Sequence, residues 1–86
     1  MRSTVTITLR GDEYFSTTVG RFGGGHQGER CGLTPQEAAT NAEVLMLRYA
    51  ATNPEGGSLQ APEEVLALIP RQVHSLRPAK AGEEAI

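Results

Sequence analysis

The chain has 86 residues, a formal net charge of −2, a single cysteine and no tryptophan. A chain this short hides only roughly 60–65% of its unfolded surface, so a partner or a second copy is a natural supplement to its core, and the lone Cys31 rules out a disulfide framework. The basic residues Arg2, Arg10, Arg21, Arg30, Arg48, Arg71, Arg77 and Lys80 are scattered along the sequence, which argues against direct nucleic-acid binding through phosphate contacts.

Val5, Ile7 and Leu9 alternate with Thr4, Thr6 and Thr8, the period-two pattern of a half-buried strand. Gly11-Asp12 marks a turn, and residues 13–19 read as the returning strand. A two-residue loop would oppose Leu9 to Tyr14 and Val5 to Thr18. A three-residue loop opposes Leu9 to Phe15, Ile7 to Thr17 and Val5 to Val19, and matching apolar faces favours this second register. Residues 21–32 hold five glycines and read as a loop leading into a short strand around 26–31.

Thr34-Pro35-Gln36-Glu37 opens a helix with a Thr N-cap, Pro at the first position and Glu at the third. This is a capping box, in which Glu37 reaches back to the N-cap amide. The helix should run over 35–51 and stop before Asn53-Pro54. Ala38, Ala42, Leu45, Met46 and Tyr49 share one broad side at ~100° per residue. Val44 and Leu47 fall in or beside the polar arc formed by Glu37, Asn41, Arg48 and Thr52. One helix on one sheet needs a single apolar stripe, so these two are expected to meet the C-terminal segment or, alternatively, a partner or dimer surface. Residues 55–58 read as a turn. Residues 65–69 favour an edge strand ending at Pro70, with a short helix opened by Pro62 as the alternative. The predicted fold is α+β: a small antiparallel sheet, made of a β-hairpin plus a short third strand, packed on one helix and followed by a C-terminal strand or short helix. Residues 1–77 form the domain, and the composition of 78–86 predicts a disordered tail.

The chemistry-bearing patterns are weak. Gly23-Gly24-Gly25-His26-Gln27-Gly28 fits G-x-G-x-x-G, but the next helix begins too late and the chain is too short for a dinucleotide fold. His26, Glu29, Cys31 and His74 lack zinc-ligand spacing, and no base is committed to Cys31. No catalytic residue, metal or cofactor is therefore expected. Arg21, Phe22 and Arg30 flank the glycine loop and carry the residue types that dominate interfaces. Together with Val44 and Leu47 they are the expected partner-binding residues. The single thiol and the charged, strand-like N-terminus predict a cytoplasmic protein, and no apolar run reaches the ~18–20 residues that cross a bilayer.

Two family resemblances follow from particular stretches. The Thr/Val-rich first strand, the helix with Pro35, Ala38 and Ala39, and the segment Val65-Leu66-Ala67-Leu68-Ile69-Pro70-Arg71-Gln72 resemble a small phage-encoded anti-CRISPR protein, an inhibitor of type I systems. That resemblance implies a non-enzymatic protein binding a Cas subunit in a bacterial host. Gly32, Thr34, Glu37, Ala38, Asn41 and Ala42 resemble the helix opening of HicB-like antitoxins, which implies a toxin as partner. The DNA-binding module usual in that family has no counterpart after Pro70.

Overall fold

The computed structural model describes residues 2–20 and 26–76, residues 26 and 27 through their backbone alone. Strands β1 (Ser3–Arg10), β2 (Glu13–Val19) and β3 (His26–Gly32) precede helix α1 (Pro35–Leu45), which continues into a π-helical turn, Met46–Ala50. Strand β4 (Gly57–Gln60), the one-turn helices α2 (Glu63–Leu66) and α3 (Arg71–His74), and the two-residue β5 (Ser75–Leu76) complete the described chain. The sheet order is β3-β2-β1-β4-β5. It is a small α+β domain with a mixed sheet, because β4 runs parallel to β1 while the other neighbouring pairs are antiparallel. A parallel pair needs a crossover, and α1 supplies it by starting against the β3 edge and ending, through its π turn, over β1 and β4.

The hairpin register differs from the expected one. Leu9 opposes Tyr14 and Val5 opposes Thr18, across the two-residue loop Gly11-Asp12. Gly11 sits at φ 59, the left-handed value that a type II′ turn demands of its first loop residue, and that turn matches strand twist. The inner face of β2 is consequently Tyr14, Ser16 and Thr18, all buried beside Val5 and Ile7. Two of its three hydroxyls find partners that hairpin pairing cannot foresee: Tyr14 donates to Glu64 Oε2 at 3.1 Å and Ser16 to the Glu29 carbonyl at 3.4 Å. Phe15, displaced to the other face, lies 5.3 Å from the Arg10 guanidinium that covers it.

Two further expectations are corrected. Residues 57 and 58, read as the end of a turn, open β4; the strand exists because β1 offers it a partner, from Ser3 opposite Gly57 to Thr6 opposite Gln60. Residues 65–69, read as an edge strand, continue from the single turn of α2 into a hydrogen-bonded turn, with Leu68 N–H donating to Val65 and Ile69 N–H to Leu66. That winding turns Val65 and Ile69 inward, where with Val73 they join Val5, Ile7, Leu59, Ala38, Ala42 and Met46 in one hydrophobic cluster. All helices therefore cover the same side of the sheet. The other side carries Thr4, Thr6, Thr8 and Arg10 from β1 and Glu13, Phe15 and Thr17 from β2, with no described element over it. The expected tail at 78–86 lies outside the described residues.

Asn53 fastens the exit of the helix to the start of β1. It is 1% exposed; its amide donates to Ser3 Oγ at 2.8 Å and its carbonyl oxygen accepts from Glu55 N–H at 2.9 Å. Ser3 in turn donates to the Tyr49 carbonyl. A buried amide is tolerated when its groups are paired in this way.

Candidate partner-binding site

The seat of α1 is built from the residues just before it. Thr34 caps the helix, its hydroxyl oxygen accepting from Glu37 N–H at 3.2 Å. Glu37 Oε1 accepts from the Thr34 hydroxyl and from Leu33 N–H, one residue before the N-cap amide that the simple capping box assigns to it. Gly32 lets β3 turn against the first helical turn: an added Cβ would stand 2.7 Å from Glu37 Cβ and 2.9 Å from Ala38 N. Ala38 and Ala42, both fully buried, keep the helix axis near the sheet. Asn41 donates its amide to the Cys31 carbonyl at 2.5 Å and to the Glu37 carbonyl at 3.1 Å, stitching helix to strand.

Seating the helix this way spends one stripe and leaves the opposite one in solvent. Val44 is 45% exposed and Leu47 51% exposed. They lie outside the stripe of Ala38, Ala42 and Leu45 that faces the sheet. The described part of the C-terminal segment touches α1 through α2 and the sheet through α3, and it leaves both side chains exposed. Beside this ridge, between α1 and the β2–β3 edge, opens a cleft of about 250 Å³. Ser16, Cys31 and Asn41 form its polar lining, Val44 and Leu45 its aliphatic wall, and Glu29 and Arg48 contribute charge. Burial pushes the Cys31 thiol above its ordinary pKa, which is the opposite of nucleophile activation.

The expected site residues do not form one surface. Val44 and Leu47 share the helix ridge. Arg30 contributes to the cleft, yet its Nε pairs with Glu13 at 3.4 Å, and its register opposite Phe15 places it with the open face of the sheet. Arg21 and Phe22 lie outside the described residues, as does the side chain of His26. His74 is far from any thiol chemistry: its Nε2 is 3.1 Å from the Leu66 carbonyl and 2.9 Å from that of Ile69, so it fastens the turn after α2. Among the described residues no three His, Cys, Asp or Glu side chains are grouped to hold a metal. No helix among them is long and apolar enough to cross a membrane. The cleft residues Ser16, Asn41 and Arg48 were not singled out from the sequence; the spacing of Asn41, Val44 and Arg48 along one helix side was the available signal.

A scan against known protein families gives no match, and a search of curated proteins gives none.

Proposed function

We propose that this chain is a non-enzymatic protein-binding inhibitor that holds its partner on the solvent side of α1 and in the cleft beside it. The observation behind this reading is the exposed pair Val44 and Leu47 on a helix whose other side is already fully seated. Aliphatic side chains next to a small cleft with charged groups at its rim suit a protein partner, with an apolar centre and a polar border.

The two resemblances name two partner classes: a Cas subunit of a type I complex is the first proposed, and a toxin is the alternative. The residues shared with HicB-like antitoxins act as one unit: Gly32, Thr34, Glu37, Ala38, Asn41 and Ala42 together dock the helix on the strand edge. That docking serves folding, so it does not by itself choose a toxin over a Cas subunit. The anti-CRISPR reading, with a Cas subunit of a type I complex as partner, leans on the first strand, on the helix with Pro35, Ala38 and Ala39, and on 65–72. There Val65 and Ile69 are buried in the core, so their pattern serves folding whatever the function.

Co-expression with candidate toxins and phage plaquing on hosts with type I immunity separate the two partners. Rescue of growth supports the antitoxin reading, and restored plaquing supports the anti-CRISPR one. In either assay Val44→Glu with Leu47→Glu should abolish inhibition while the melting temperature stays put. A double variant that inhibits at full strength removes the helix ridge from the proposal.

A further inference from the structure

The strand alternation gathers charge that the sequence scatters. Arg10 shares the parity of Thr4, Thr6 and Thr8 in β1, Arg30 opposes Phe15, and Arg2, just before the strand, donates to Ser75 Oγ, whose partner Ser58 stands beside Thr4, so all three arginines belong to the open side of the sheet. Glu13 is the one described carboxylate on that side. Glu29 faces the inner side opposite Ser16, Glu37, Glu43, Glu63 and Glu64 belong to the helices, and Asp12 and Glu55 sit in turns. A molecule of formal charge −2 thus presents a sheet face that is net positive.

We infer that this open face binds single-stranded nucleic acid, an activity separate from the partner site on α1. Phe15 gives the face an aromatic ring, and the Arg10 guanidinium lies over it, 5.3 Å from its centroid, so a base would stack on this ring–guanidinium pair. Around it the hydroxyls of Thr6, Thr8 and Thr17 and the guanidinium of Arg30 supply donors for phosphate and sugar oxygens. No described carboxylate pairs with Arg10 or Arg2; the Arg2 guanidinium donates to the Glu55 and Gly57 carbonyls and to Ser75 Oγ at the far end of the same face. Arg2 and Arg10 are eight residues apart, about 27 Å between their backbone positions at strand rise, the reach of a short extended oligonucleotide. Among the described residues the face lacks the apolar centre that a protein partner would want: besides the half-buried Phe15, Val19 is its exposed large hydrophobic. An isologous contact with a second copy is also disfavoured, because it would set two net-positive faces against each other.

The test is fluorescence anisotropy of a labelled oligouridine and the equivalent oligothymidine, each of about eight nucleotides, within the site sizes of sheet-based binders. Binding should weaken with salt along a log–log slope no steeper than about −2, since at most three guanidiniums meet phosphate. Arg10→Glu should reduce affinity at least tenfold. Phe15→Leu, which keeps apolar bulk and removes the ring, should reduce it about tenfold. Val44→Glu should leave it unchanged, which keeps this result distinct from the fate of the helix ridge. No binding of either oligomer at low salt would overturn the inference, as would binding indifferent to both Arg10→Glu and Phe15→Leu. Equal competition by a polyglutamate peptide would also overturn it, and would assign the face to an acidic protein instead.

Discussion

The two faces of the sheet come from the same strands and have opposite fates. The inner face is the more polar in composition than its burial suggests, with Ser3, Ser16 and Thr18 under the helices, yet it is closed. The outer face has threonines and an aromatic ring, arginines at its margins, and nothing described above it. Local composition therefore does not decide which face becomes core. What decides is which side chains meet a partner from afar: Tyr14 meets Glu64 across 50 residues of sequence, and Ser3 meets Asn53 across another 50. A hydroxyl that is hydrogen-bonded can be buried at modest cost, whereas an arginine cannot leave water without a counter-charge.

The sharpest way to break this comparison is to truncate adjacent residues on one strand. Ile7 is 3% exposed and packs in the core, while Thr8 points to the open side. Ile7→Ala should destabilise by about 2–5 kcal/mol in urea denaturation, the range for large-to-small core changes. Thr8→Ala should stay within about 0.5 kcal/mol of the parent. Similar costs at both positions would mean that the outer face is covered in solution, by a second chain or by a ligand.

Next in size is the cap that aims α1 at the inner face. Thr34→Ala should cost about 0.5–2 kcal/mol. Glu37 bonds the Thr34 hydroxyl as well as Leu33 N–H, so the Thr34→Ala, Glu37→Ala double variant should lose less than the sum of its parts. Full additivity would show that the two groups act separately.

That cap was legible in the sequence, as were the β1 alternation and the start of the helix, because each is written in contiguous residues. The features that escaped are those written between distant ones. Pairing apolar with apolar across the hairpin chose the wrong register because it gave no weight to Glu64, which satisfies Tyr14 only after α2 has folded beneath the sheet. Gly56-Gly57 looks like a turn until β1 is there to pair with it. The 65–69 run carries Pro70 as a stop signal suited to strand or helix alike, and burial of Val65 and Ile69 settles it as helical turns. For the candidate site, the exposed ridge of Val44 and Leu47 was visible as a surplus stripe, whereas the cleft needed β3 beside α1. The gathering of arginines was half visible: Arg2 and Arg10 share strand parity, but Arg30 reaches that side through a β2–β3 pairing with shifts in register.

A smaller effect tests how complete the burial of the inner face is. Thr18 is 2% exposed, and its hydroxyl has no hydrogen-bond partner in the structure. Thr18→Val keeps the shape and the strand preference while removing the desolvated oxygen, and should stabilise by about 1 kcal/mol in chemical denaturation. Destabilisation would mean that the hydroxyl is bonded in solution, for instance to a trapped water.

The smallest expected effect concerns pH at the Tyr14–Glu64 contact. Burial, reinforced by the hydrogen bond to Glu64 and by its charge, raises the Tyr14 pKa above the ordinary value. The unfolded chain then ionises this phenol first, near pH ~10, while the folded chain still holds the proton. The contribution to stability is complete below that pH and is lost as pH rises through the higher folded value. Tyr14→Phe removes the titration together with one hydrogen bond worth about 0.5–1.5 kcal/mol; Glu64 is exposed, so water can take over its oxygen. The parent should therefore exceed Tyr14→Phe in stability by a constant margin from pH 7 to about 9, and the margin should shrink above pH ~10 as the unfolded phenol ionises. A margin that does not change up to pH ~11 would show that Tyr14 ionises alike in both states, and that the inner face near Glu64 is open to water.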